Sequence, residues 1–145
     1  MYYALYILST ITLGHFFCAL VVYLNHRFIF HTKLGDKFFF KKLKRLHAMH
    51  HKHSYDDKRN EFILVPFKFQ IILFLIVALI AVINLYFAIG IISFSALYSY
   101  RHFAIHNDDN SSKFYIHHNI HHKNIKYNFS GIYPFIDTIF GTSKK

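Results

Sequence analysis

The sequence predicts an all-α integral membrane protein: one N-terminal span, a second helical hairpin, and a histidine-rich helical cap on the cytoplasmic side. Two apolar stretches and the placing of the histidines predict it. Residues 1–25 and residues 69–100 carry no Asp, Glu, Lys or Arg, and about 20 uncharged apolar residues are enough for a helix to cross a bilayer core. Of the 13 histidines, only His15 lies inside those stretches; the others flank their ends. At 145 residues the chain has the length of a single domain, 1–145.

The first span is expected over about Tyr2–Leu24. It lacks the basic n-region of a signal peptide and its apolar run is too long for a typical h-region, so it reads as a retained span. Cys18, the single cysteine, sits within it and can form neither an internal disulfide nor a thiolate cluster. After "NHRFIFH", residues 33–53 interleave Phe38, Phe39, Leu43 and Leu46 with lysines, the pattern of a helix lying at a membrane surface. "SYDDKRNEFILVP" (54–66) reads as a loop, and Pro66 with Lys68 marks the next span. Residues 69–100 are too many for one crossing and slightly few for two. Because histidines lie on both flanks, their convergence requires both ends on one side, hence a tight or re-entrant hairpin turning near Asn84–Gly90. A single tilted helix is the alternative.

The net charge of +10 suggests nucleic acid until the basic residues are located. Lys33, Lys37, Lys41, Lys42, Lys44 and Arg45 follow the first apolar run. Lys52, Lys58, Arg59 and Lys68 precede the second, and Lys113, Lys123, Lys126, Lys144 and Lys145 follow it. Lysines and arginines beside spans obey the positive-inside rule, so the charge predicts topology and no nucleic-acid partner.

Ten histidines fall into four groups: His26 and His31; His47, His50 and His51; His102 and His106; His118, His121 and His122. Offsets of three and four place side chains about 5–6 Å apart on one helix face, where two can grip one metal. The adjacent member of each HxxHH lies about 100° round the helix and can reach a second metal. His26 and His31, five apart, are separated by roughly 140° on a regular helix, so they serve different metals or sit where the helix unwinds. Ten imidazoles suit two ions with about five each. A disordered His-rich tract would not repeat HxxHH some seventy residues apart.

With these motifs the chain resembles the fatty acid hydroxylase and sterol desaturase superfamily of integral membrane di-iron enzymes. The likeness runs from His26 to Thr142. "HRFIFH", "HAMHHKHSYDDKRNEFILVP", "HFAIH" and the closing "HHNIHH…IDTIFGT" look most like the fatty acid 2-hydroxylase branch. The chain departs from that pattern in three places. It has room for one span, not two, before the first motif; Asn107 follows His106 where relatives often carry histidine; Ile136, not an aromatic, precedes Asp137.

The resemblance implies two iron ions, O2 as co-substrate and hydroxylation of a membrane lipid. Neutral imidazoles suit iron, but zinc binds nitrogen sites more tightly than ferrous iron in the usual order, so zinc can substitute on purification. Nothing in the chain collects electrons from a nicotinamide; an NAD(P)H-linked reductase and a separate electron-transfer protein are implied. The basic face suits an acidic carrier, and a homo-oligomer is compatible with the sequence. Asp137, within the motif, is the best candidate to orient a ligand imidazole; His53 and His117 are lesser candidates for that role. Asp56, Asp57 and Glu61 read as loop carboxylates. His15, eleven residues before His26 and about 16 Å up the same stripe, faces the lipid cavity or makes an interhelical hydrogen bond. Two other readings stand beside the fatty acyl hydroxylase: a sterol or carotenoid hydroxylase or desaturase of the same superfamily, and a non-catalytic membrane metal-binding protein.

Overall fold

A computed structural model describes residues 1–38, 40–53, 67–107 and 113–145. The expected loop 54–66, with Asp56, Asp57, Glu61 and Pro66, lies outside the described residues, as does Phe39.

Every element among the described residues is helical. α1 spans Tyr2–Leu24 and runs directly into a π-helical turn, Asn25–Phe30, followed by a 3₁₀ turn, Lys33–Asp36. α2 is Lys41–His53, α3 Phe67–Ile83, α4 Leu85–Asn107, α5 Lys113–Lys123 and α6 Pro134–Ile139. The continuous helix Tyr2–Phe30 is long and apolar enough to cross a membrane, and α3 is a shorter apolar helix. No residue of α3 is buried, and large apolar side chains stand outward on both, among them Leu5, Leu8, Phe74 and Leu79.

Three contacts orient α4 against α1. Tyr3 meets Tyr86 at 2.9 Å, His15 meets Ser93 at 2.8 Å, and Cys18 lies 3.8 Å from Ser95. The two helices therefore run parallel, both toward the histidine-rich end. The chain leaves that end after α2 and is back at the far end at Asn84, whose side chain lies 3.3 Å from the Tyr6 hydroxyl. Residues 67–107 thus go out and return, as the hairpin expectation requires. The break is a single residue. Asn84 N–H donates to the Ile80 carbonyl and closes α3, while its side-chain oxygen accepts from Phe87 N–H and caps α4.

Gly90, expected near the turn, serves another purpose. A Cβ on Gly90 would lie 2.1 Å from the Ile11 carbonyl oxygen, and one on Gly14 would lie 2.2 Å from that of Phe87. The two glycines let the α1 and α4 backbones touch, the device by which small residues bring apolar helices together. Beyond that crossing, Ala19, Tyr23 and Phe94 pack with Phe129, Ile132 and Ile136 of the closing segment. This small core holds residues 127–142 against the histidine-bearing ends of α1 and α4.

A candidate metal centre between two cross-shared histidine groups

The four motifs converge. Nitrogens of His26, His31, His47, His51 and His121 all lie within 4.8 Å of one another, and so do those of His50, His102, His106 and His118. His122 belongs to neither set by that measure, yet its Nε2 is 2.9 Å from His118 Nε2 and its ring centroid 4.4 Å from that of His51. It stands between the two groups.

Local geometry explains which histidine goes where. His26 and His31 join one group because the helix between them is π-helical. A π turn closes i to i+5, so residues five apart come round to one side, and the two rings sit 5.0 Å apart. Of the two readings of this spacing, unwinding is the one observed. Each HxxHH splits in a fixed way. On α2, His47 and His51 (i and i+4) enter the five-histidine group, their Nε2 atoms 2.9 Å apart, while His50 turns to the other. On α5, His118 faces the second group, His121 crosses to the first, and His122 stands between them. Both helices serve both groups. His102 and His106, at i and i+4 on α4, serve the second alone.

Burial and mutual repulsion keep these rings neutral. Burial, then the neighbouring His121 and His51, lowers His31 to about 3. Burial with His121 and His106 lowers His51 to about 4, and burial lowers His106 to about 4. His47, His118 and His122 are driven far below the ordinary imidazole value, by burial first and then by adjacent imidazoles. A neutral imidazole is the form that binds metal.

Two protons can be assigned from their acceptors. His26 Nδ1 lies 2.5 Å from the Phe129 carbonyl and His121 Nδ1 2.6 Å from that of Tyr127. A carbonyl only accepts, so each Nδ1 carries the hydrogen and each Nε2 presents a lone pair. Those lone pairs point into the five-histidine group, where the Nε2 atoms of His26 and His47 approach to 3.1 Å and those of His121 and His51 to 3.2 Å. Imidazole nitrogens gathered this closely could share a cation. The all-imidazole donor set fits first-row transition ions, iron and zinc included.

The remaining candidates sit outside the two groups. Asp137, fully buried, accepts from His117 Nε2 at 2.9 Å, Phe129 N–H at 2.8 Å, Ser130 N–H at 2.9 Å and the Thr142 hydroxyl at 2.7 Å. Burial alone would raise its carboxyl; the bonds from His117, Ser130 and Thr142 outweigh burial and hold it below the ordinary value. Asp137 therefore touches none of the ten grouped histidines directly, and His117 pairs with it. His53 ends α2, beyond the grouped residues.

His15 joins three elements. Ser93 Oγ donates to the Gly90 carbonyl, so it accepts from His15 Nδ1–H, leaving His15 Nε2 to accept from the Tyr133 hydroxyl at 2.7 Å. The interhelical hydrogen bond is the reading that the structure supports. Sequence reasoning passed over the carbonyls of Tyr127 and Phe129, because a backbone oxygen has no letter. The available signal was Asn128, whose positive φ of 59° is a conformation that Asn tolerates better than most residues.

Comparison with known proteins agrees with this geometry. No curated protein and no solved structure matches the chain. The family model described as "Fatty acid hydroxylase" matches residues 11–142, from the Gly14 crossing to the threonine bonded to Asp137. Both histidine groups lie inside that span, and the chain belongs to the fatty acid hydroxylase family.

Proposed function

We propose that the protein is a di-iron, O2-dependent hydroxylase of fatty acyl chains held in a membrane, acting near the carboxyl end, with the 2-position preferred. The observation that carries this reading is the convergence of four separated histidine motifs on two adjacent groups of neutral nitrogens. Family membership supports lipid oxidation. His26, His31, His47, His51 and His121 would hold one ion, and His50, His102, His106 and His118 the other, with His122 beside the second.

An unactivated C–H bond offers no proton that a side chain can remove; iron with dioxygen supplies the chemistry that replaces its hydrogen by hydroxyl. The chain's own part is different. Its imidazoles fix ligand positions, burial keeps them neutral, and the small core of Tyr23, Phe94 and Phe129 closes the centre toward the helices. The apolar outer faces of α1 and α3 suit lipid, since contiguous exposed apolar surface marks a partner or a membrane. The lysines and arginines beside the apolar helices support a cytoplasmic side for the centre, by the positive-inside rule. There a lipid anchored by its head group presents the first carbons of its acyl chain. Electrons come from a separate NAD(P)H-linked reductase and carrier.

The test is expression in a bacterium with a compatible electron donor under ¹⁸O2. Hydroxy fatty acids carrying ¹⁸O at the 2-position are expected. Label arriving from water would sink the oxygenase mechanism. Labelled sterols or carotenoids with unmodified acyl chains would keep the mechanism and move the substrate.

A further inference from the structure

We propose that residues 129–141 form a re-entrant segment. It enters the bilayer beside α1 from the histidine-rich end, reaches the depth of His15 and turns back, with Phe135 and Ile139 packed against lipid acyl chains. The proposal rests on α1 crossing the bilayer.

α1 is the depth scale, because a helix rises about 1.5 Å per residue. The segment starts level with the metal centre, where the Phe129 carbonyl receives His26 Nδ1–H. It ends close to that level: Phe140 stacks on Tyr23 with centroids 4.9 Å apart, and Thr142 bonds the Tyr23 hydroxyl at 3.0 Å. Between these points the chain runs deeper. The Tyr133 hydroxyl donates to His15 Nε2 at 2.7 Å, and the rings of Phe16 and Phe135 lie 6.0 Å apart. His15 and Phe16 precede Tyr23 by two helical turns, about 10–12 Å nearer the bilayer centre. The parallel helix α4 gives the same depth, since Tyr133 also meets Phe94, two turns before His102, with centroids 5.9 Å apart. Ser93 holds His15 in turn, so Tyr133 is tied to both helices at the turning point.

The segment is built for hydrocarbon. Asp137 is the one Asp, Glu, Lys or Arg among residues 127–142, and it is buried, as are Asn128, Ser130 and Thr142. Outward stand Phe135, 47% exposed, and Ile139, 71% exposed, four apart and therefore on one face of α6. Phe135 touches Phe16, itself exposed on α1, so the apolar outer face of α1 continues onto α6. Main chain at membrane depth must find its hydrogen-bond partners within the protein. Phe129 and Ser130 N–H donate to the Asp137 carboxylate, Ile132 N–H to the Ser130 carbonyl, Ile136 N–H to that of Tyr133 and Thr142 N–H to that of Asp137. Thr138, exposed on α6, turns its hydroxyl back onto the Pro134 carbonyl.

The chain contains no tryptophan, so one introduced indole reports its own surroundings. Leu13→Trp, Phe135→Trp, Ile139→Trp and Lys126→Trp of the full-length protein are each reconstituted in phosphatidylcholine vesicles brominated at a shallow or a deep acyl carbon. Leu13, exposed at the middle of α1, calibrates the bilayer centre. Phe135→Trp and Ile139→Trp should emit to the blue of Lys126→Trp, lose emission to bromolipid and resist aqueous iodide, and Phe135→Trp should lose more to the deep bromine than to the shallow one. Lys126→Trp should be quenched by iodide instead. Iodide quenching at Phe135→Trp and Ile139→Trp overturns the proposal, and so does quenching of both by the shallow bromine alone, which would lay the segment flat at the interface. If Phe135→Trp does not fold, Ile139→Trp decides. A Leu13→Trp indole untouched by bromolipid defeats the span itself and the re-entrant segment with it.

Discussion

At the scale of single residues, the two groups make separable demands. His121 reaches only the five-membered group and His50 only the other. His121→Ala and His50→Ala should therefore each release about one ion per chain and abolish hydroxylation, because metal affinity follows ligand number and identity. His15→Ala should keep both ions, measured as metal per protein by mass spectrometry; two ions retained in both ligand variants would refute the assignment. Acidity should act through the same rings. The folded-state pKa values of His31, His51 and His106 lie at about 3 to 4, below an unfolded value of about 6.5. Between these limits the unfolded chain binds more protons, so stability is complete above about pH 6.5 and falls as pH drops toward 4. Thermal unfolding of the metal-free protein at pH 7.5, 6 and 5 should show a falling midpoint, and a flat profile would contradict the neutral, buried cluster. Of the nine histidines that converge, seven were legible in the sequence because helical offsets of three and four survive folding unchanged, and His26 and His31 were legible only as an offset of five. Asp137 was singled out by its motif, but its route to the ligands was not, since it runs through main-chain atoms.

At the scale of elements, the decisive contact is the crossing of α1 and α4. A methyl group at Gly90 would overlap the Ile11 carbonyl and lie 2.7 Å from His15 N, both backbone atoms that cannot swing aside. Gly90→Ala should push the helices apart and destabilise the fold by about 1–3 kcal/mol, the usual cost of overpacking. The measurement is the unfolding midpoint in detergent; an unchanged value would show that the crossing is looser than the backbone distance indicates. The existence of the hairpin could be read from the sequence, because histidines on both sides of 69–100 had to meet. The position of its break could not. Asn84 and Gly90 both signal turns in an apolar run, and only the packing partner distinguishes a helix cap from a helix contact. The π turn at Asn25–Phe30 was likewise visible only as an offset of five that a regular helix cannot bring to one face.

For the whole molecule, the arrangement predicts one face carrying α2 and the closing segment together. Lys42 and Lys126 are exposed on that face. Cysteines placed at both positions in a Cys18→Ser background should resist an impermeant thiol reagent in intact cells and react after permeabilisation. Labelling of one alone would defeat the shared cytoplasmic side.

The cross-sharing of α2 and α5 has a mechanical meaning. His50 is the one buried residue of α2, and the compact apolar cluster lies instead between α1, α4 and the closing segment. Little grease glues α2 in place, and two ions bound as proposed would act as rivets through the same pair of plates, doing the work that an oily interior does elsewhere. Stripping the ions should thus loosen one layer of the protein while sparing the other. Hydrogen exchange after chelation should rise across α2 and α5 and stay slow along α1 and α4, where Gly14 and Gly90 keep the backbones in touch without any ion.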